Sequence, residues 1–274
     1  MTPESSGRSD LENGSRLLQL LGVRPLGGFE KSFKMSRGSL LSNRYLAGLS
    51  RRRILASWIA EVCRRIDMPE DYLAAFEVQF PRADAVHFGF EQGECSSIYK
   101  VYLEFTRALL RAGNGANETV LLHLAYKWDV RGDVREPARR AVARYECHPG
   151  LATEAALARM ADLYSGYDGQ GSLSAVGEIL ALASRRSSEP LMYLEVSEKG
   201  NPRRSFDINV HPADLRVKDI EPMLLRLQGN YAVPAAPFGE LFERVGQQKL
   251  GHVSGGTSRD GADFVTVYYE AEFA

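Results

Sequence analysis

The stretch Ser97-Ile-Tyr-Lys-Val-Tyr-Leu-Glu-Phe105 carries Lys100, Tyr102 and Glu104 at every second position. By type these are a triple hydrogen-bond donor, an aromatic hydroxyl and a proton acceptor. The aromatic and β-branched content predicts a strand, so the three side chains share one face. Tyr99, Val101, Leu103 and Phe105 share the other. A strand with one apolar face and one face of ammonium, phenol and carboxylate needs a setting that uses both.

The same two-faced pattern recurs along the chain. His87, Gly89 and Glu91 alternate with Val86, Phe88 and Phe90, and His123, Ala125, Lys127 and Asp129 with Leu122, Leu124, Tyr126 and Trp128. Further on, Tyr193 and Glu195 oppose Leu194 and Val196, Asp207 and Asn209 oppose Phe206 and Ile208, and Thr266, Tyr268 and Glu270 oppose Val265, Val267 and Tyr269. Two arrangements satisfy this pattern. One is an antiparallel sheet with helices on one side and water on the other. The other is a closed barrel, sheathed by helices outside and lined by the polar faces inside. The mixture of tyrosine, histidine and small residues with charges favours closure, since a solvated face is richer in Lys, Glu and Thr.

The elements that must position these faces come in units of two strands and one or two helices. Ala85–Glu91 and Ile98–Phe105 precede a helix at Thr106–Ala112. Val120–Val130 and Ala141–Cys147 precede helices at Ala152–Tyr164 and Leu173–Arg185. Leu191–Ser197 and Ser205–Val210 precede helices at Asp214–Leu227 and Phe238–Gln247, and Leu250–Ser254 and Phe264–Glu270 form the last pair. The intervening loops are rich in Gly, Asn, Asp and Pro, as antiparallel turns require. Upstream, Leu11–Leu21 reads as amphipathic helix, Asn43–Ile66 as a helix on the spacing of its apolar residues, and Glu70–Val78 as a further short helix. Gly27–Leu41 is punctuated by Gly and Ser, and periodicity does not decide whether residues 27–50 make a first hairpin. Residues 1–15 read as a disordered lead-in without the apolar core of a signal peptide.

Composition narrows the class. The 274 residues are 44% hydrophobic and 25% charged with a net charge of −1, which gives no global attraction to nucleic acid or to anionic membrane. No window reaches the apolar length of a membrane span. Three scattered cysteines make neither a disulfide framework nor a zinc site, so a cytoplasmic setting is expected. Nucleotide loops, Gly-x-Ser-x-Gly and His-Glu-x-x-His are absent. Cys147-His148 has no further ligands at zinc spacing, and the nearest acidic pair, Asp260 and Asp263, sits in a hairpin. Asn117-Glu-Thr119 and Arg131-Gly-Asp133 match short motifs of exported proteins and are read as chance.

Repeated α-β-β-α units closing an antiparallel barrel resemble the aromatic prenyltransferases of the ABBA (PT-barrel) fold. Lys100-Val-Tyr102 in "IYKVYLEF" is similar to the Lys-x-Tyr strands that bind the prenyl diphosphate in that family. The closing hairpin "LGHVSGGTSRDGADFVTVYYEAEF" is similar to its last hairpin, and the resemblance spans residues 85–273. It implies an α+β fold: an antiparallel β-barrel with an outer ring of helices, forming a single domain over residues 16–274.

The implied activity is transfer of a prenyl group from an allylic diphosphate to an electron-rich aromatic acceptor, an indole, a phenol or a peptide side chain, in secondary metabolism. Lys100, Lys127 and Arg203 or Arg204 would hold the diphosphate. Tyr102, Tyr193 and Tyr268 would shield the carbocation. Glu91, Glu104, Glu195 or a histidine (His87, His123 or His252) would take the proton. No tightly bound cofactor or resident metal is implied; magnesium is compatible but not required. Arg144 and Glu146 share a face that is lumenal or exposed. The alternative is a non-catalytic helix-backed sheet that binds a small molecule or partner protein. Oligomeric state stays open.

Overall fold

The alternation of apolar and polar residues becomes a ring of strands in the computed structural model of the chain, which describes residues 4–22, 27–113, 118–131, 133, 136–165 and 170–270. Asn117 and Gly132, central to the two short motifs, lie outside the described residues. In chain order the main elements are α1 (Glu4–Leu21), β1 (Gly28–Ser36), β2 (Ser39–Leu41), β3 (Arg44–Ser50), α2 (Ala56–Arg65) and α3 (Glu70–Gln79). Next come β4 (Ala85–Gln92), β5 (Ser97–Glu104), α4 (Thr106–Ala112), β6 (Val120–Asp129) and β7 (Arg140–His148). Then α5 (Thr153–Leu163), α6 (Gln170–Arg186), β8 (Met192–Glu198), β9 (Arg204–Asn209), α7 (Glu221–Asn230), α8 (Ala235–Val245), β10 (Leu250–Thr257) and β11 (Asp263–Glu270) complete the chain.

From β3 onward each strand pairs antiparallel with the next in chain order, and β11 returns to β1 from Glu30↔Glu270 to Ser36↔Phe264. Short β2 and longer β3 lie end to end along the other edge of β1 (Met35↔Leu40, Phe29↔Ala47), so the ring is a closed barrel of ten strands. Closure leaves only short β2, paired on one side, as a sheet edge among the described residues. Residues 27–50 are therefore the first hairpin, turning at Arg37-Gly38, where Gly38 takes a positive φ of 70°.

Two readings of the N-terminal third are corrected. The helical spacing over Asn43–Ile66 hides a strand, β3, followed by a shorter helix, α2. Tyr45, Ala47 and Leu49 face the helices while Leu46 and Gly48 face inward, and pairing to β1 and β4 on both edges overrides the local periodicity. The segment read as a disordered lead-in is helical from Glu4. Its end is tied to the barrel by Tyr45 and Tyr99 hydroxyls, which donate to the carbonyls of Gly14 (2.7 Å) and Asn13 (2.8 Å). Gly14 also permits close approach: a Cβ there would meet the Phe90 ring at 2.9 Å.

The apolar outer faces build two large cores under the helices. Val86, Phe88, Phe90, Tyr99, Val101 and Leu103 pack with Ile59, Val62, Phe76 and Leu17. Phe206, Ile208, Val253, Val265 and Val267 pack with Met160, Ile179, Leu224 and Leu241. Truncating a fully buried Leu103 or Phe88 to Ala costs about 2–5 kcal/mol, so these cores hold the ring rigid around its interior. None of the described helices is long and apolar enough to cross a membrane.

Candidate active site

The inward faces sort into levels along the barrel axis. On β5, Lys100, Tyr102 and Glu104 point inward, and at about 3.3 Å per residue Glu104 lies about 13 Å along the strand from Lys100. The lysine level is a cation cluster. Lys100 stands opposite Lys127 across β5 and β6. Arg44 from β3, Lys34 from β1, and Arg203 and Arg259 from the rim near β9 and β10 join them.

Glu91 and Glu198 hold all of these cations but Lys34 in place. Glu91 accepts from Lys100 and lies 3.1 Å from Arg44. Glu198 is 3.0 Å from Lys127, 3.1 Å from Arg203 and 2.7 Å from Arg259. Burial would raise the Glu91 carboxyl, but Arg44, Lys100 and Lys34 outweigh it and hold it well below the carboxylate range. The cations outnumber the two carboxylates, and burial pushes Lys100 down to about 8 and Lys127 down to about 7. Lys34 has no carboxylate partner among the described residues; its ammonium lies 4.5 Å from the centre of the Phe264 ring, over which Arg203 also sits at 5.6 Å. Gly89 keeps the level open, because a Cβ there would press on Leu46 at 3.2 Å and on Lys100 at 3.4 Å. Buried cationic charge in excess, with arginine forks and lysine point charges from several strands, is a site for a polyanion.

The next level is aromatic. Tyr102 and Tyr145 stand edge to face with centroids 5.7 Å apart, and Tyr268 is close enough to raise both hydroxyls further after burial has done so. Ala125, Ala143 and Val196 fill the wall beside Tyr102 and Tyr145. Lys127 is 5.7 Å from the Tyr145 ring centre, which ties this level to the cations.

Beyond the tyrosines lie carboxylates and imidazoles. His87 Nε2 is 2.6 Å from Glu104, whose other oxygen accepts from Thr106. Burial would raise Glu104, but His87 holds it down to about 2; burial lowers neighbouring His123 to about 3. On the other side of the ring, Glu30 Oε1 is 3.2 Å from His211 Nε2 and 3.8 Å from His252 Nε2. Burial would raise Glu30 too, yet its bond to His211 and the charge of His252 lower it. His252 Nδ1 is held by Asp207 at 2.8 Å. No hydrogen bond engages Glu30 Oε2 among the described residues.

The structure thus brings together Lys100, Lys127, Arg203, Tyr102, Tyr268, Glu91 and Glu104, with His87, His123 and His252 on the same interior. It separates others from them. Tyr193 faces outward into the helix-facing core, 6.5 Å from Phe206 in a stacked pair, and Glu195 faces outward to Arg159 of α5 at 2.7 Å. On β8 the apolar residues Leu194 and Val196 turn inward instead, because a helix-borne arginine satisfies the outward carboxylate. Arg204 is exposed on the outer face, so Arg203 alone of that pair turns inward. Arg144 and Glu146 pair with one another on the exposed surface.

Sequence reasoning missed Glu30, Lys34, Arg44, Tyr145, Glu198, His211 and Arg259. The signal for the first two is the alternation Glu30, Ser32, Lys34, Ser36 against Lys31, Phe33, Met35, hidden by the ragged Gly27–Leu41 context. Tyr145 lies within β7, and the others are single residues at strand ends or in the loops beside them. Surface cavities of 290 Å³ beside α5 and α6 and 510 Å³ beside α2 and α4 lie outside the barrel and share none of these interior side chains.

No protein-family model and no curated protein matches the chain. Its architecture is nevertheless that of solved aromatic prenyltransferases. A 6-dimethylallyltryptophan synthase from Micromonospora olivasterospora, in complex with DMASPP and Trp, superposes with a TM-score of 0.58 at 17% identity, over 90% of this chain and 82% of that one. NotF in complex with brevianamide F and DMSPP gives 0.55 at 12%, over 90% and 80%. AnaPT from Neosartorya fischeri gives 0.54 at 12%, over 89% and 78%. The chain therefore has the ABBA (PT-barrel) fold.

Proposed function

We propose that this chain transfers a prenyl group from an allylic diphosphate to an electron-rich aromatic acceptor inside the barrel. The observation that carries the reading is the order of the three levels: cations, then tyrosines, then carboxylates with imidazoles. The similar structures, with DMASPP and Trp or with DMSPP and brevianamide F, support it. The acceptor is an indole, a phenol or a peptide side chain, and the reaction belongs to secondary metabolism in the cytoplasm. The described free cysteines, Cys63, Cys95 and Cys147, suit that compartment.

In this reading the diphosphate sits among Lys34, Arg44, Lys100, Lys127 and Arg203. The allylic C–O bond breaks with its electron pair going to pyrophosphate, whose growing charge these preorganised cations stabilise. Glu91 and Glu198 hold Arg44, Lys100, Lys127 and Arg203 in position before the ligand arrives. Tyr102, Tyr145 and Tyr268 face the allylic cation with ring surfaces that attract positive charge and exclude water. The acceptor's π electrons form the new bond to the cation, and the ring carbon then loses its proton. Glu30 takes that proton, since Oε2 is free while both oxygens of Glu104 are engaged.

The test is incubation with dimethylallyl or geranyl diphosphate and a panel of indoles, phenols and tryptophan-containing peptides, read by mass spectrometry. A product heavier by one prenyl group supports the reading. No product, together with no binding of a prenyl thiolodiphosphate by calorimetry, overturns it in favour of a non-catalytic binding barrel.

A further inference from the structure

We infer that Glu30, His211 and His252 form a binding site for one divalent transition metal of the zinc class at the mouth of the barrel. One ligand atom from each of Glu30, His211 and His252 lies within 4.8 Å of the other two. Four-coordinate zinc with ligands at about 2.0–2.1 Å needs donor atoms about 3.3 Å apart. The pairs at 3.2 Å and 3.8 Å meet that with sub-ångström adjustment of side chains.

Both histidines are already oriented for the task. His252 Nδ1 is fixed by Asp207 at 2.8 Å and His211 Nδ1 lies 3.4 Å from Glu270, so each ring presents Nε2 to the common centre. A carboxylate behind each ligating imidazole is the outer shell that sets tautomer and ring direction at zinc sites. Gly251 supplies the room: a Cβ there would lie 2.9 Å from Glu30 Oε1 and 3.0 Å from His211 Nε2. Access is open as well, since the side chains of His211 and Glu270 are 35% and 50% exposed.

The second group of this kind, His87, Glu104 and His123, lacks these features. Both Glu104 oxygens are engaged, and the buried His123 Nδ1 has no hydrogen-bond partner to orient it. Three protein ligands leave a further position for water, so the site would bind zinc reversibly rather than as a closed structural centre. Metal on Glu30 would also silence the proton acceptor, and that consequence alone rests on the prenyl-transfer reading.

The test needs no substrate. Chelator-treated protein is titrated with Co²⁺, followed by the intense visible absorption of four-coordinate cobalt, and Zn²⁺ is then added in competition. One equivalent should bind, zinc should displace cobalt, and His211→Ala, on the half-exposed rim, should bind at least tenfold more weakly while melting like wild type. Glu270→Gln should weaken binding about 10- to 100-fold, the usual cost of an outer-shell change. Gly251→Ala should also weaken it by filling the centre. Absence of stoichiometric binding, or full affinity in His211→Ala with loss in His87→Ala, overturns the site.

Discussion

Lys100 and Lys127 stand directly opposite one another across β5 and β6, both facing the barrel interior, each against its own carboxylate. Like charges in directly opposed positions destabilise a sheet, and burial adds to the cost by disfavouring both ammonium groups. Glu91 and Glu198 offset part of it but are shared with Arg44, Arg203 and Arg259. In the proposed reaction an incoming diphosphate would relieve the remainder, which makes this pair the place to test that proposal.

Lys100→Ala and Lys127→Ala should each weaken binding of a prenyl thiolodiphosphate by about 1.5–3 kcal/mol, the worth of a charge-assisted hydrogen bond. Thermal stability without ligand should hold or rise, because Arg44 still pairs with Glu91 and Arg203 with Glu198. Calorimetric titration and melting curves of the three proteins check both halves.

Binding should weaken as pH rises. The ligand-free lysines lose their protons near 8 and 7, whereas the ligand's own phosphate charge is complete above about 6. Affinity is therefore greatest near or below neutrality and falls toward alkaline pH. Ligand-free stability follows the opposite trend. Between those folded-state values and the ordinary lysine value of about 10.4, the unfolded chain binds more protons, so these groups make the barrel more stable as pH rises. Affinity that tightens with pH would contradict the assignment.

Tyr102→Phe should keep most turnover, since it retains the ring face, whereas Tyr102→Ala should release more prenyl alcohol per coupled product. An unshielded cation is captured by the nearest nucleophile, and in an opened interior that is water. The ratio of alcohol to coupled product in the three proteins decides; equal ratios would reduce Tyr102 to a wall residue.

Glu30→Gln should bind the thiolodiphosphate normally and lose coupling roughly 100- to 10,000-fold, the usual contribution of a positioned base. Glu104→Gln should lose less, because its carboxylate already serves His87 and Thr106. Steady-state rates with saturating donor separate the two; a larger loss in Glu104→Gln would move the proton acceptor across the ring.

Turnover should persist in excess chelator, because side-chain cations rather than a resident ion neutralise the departing pyrophosphate in this mechanism. Rates with and without chelator, and with added magnesium, test this directly; abolition by chelator and rescue by magnesium would reassign that role.

Much of the site was legible because strand alternation is a local property. Lys100, Tyr102 and Glu104 had to share a face, and so did His123 and Lys127, whatever the strands paired with. From Ala85 onward the order of strands and helices follows from periodicity and turn residues, and the ring that they suggested is closed.

What alternation leaves open is which face is the inside. On β8 polarity pointed Tyr193 and Glu195 inward, yet Arg159 of α5 satisfies Glu195 outside and the apolar residues turn in. The first hairpin was illegible for a related reason. β3 carries helical spacing, and only pairing to β1 and β4 makes it a strand. From Ala85 onward the sequence by itself determined the two-faced strands, their order and the chemical types on each face, since these depend on neighbours a few residues apart. Tertiary structure alone decided closure through β1 and β11, and with it the meeting of Glu30, His211 and His252. The register of a ring depends on every strand at once, and residues 181 or more positions apart meet only when the last one returns to the first.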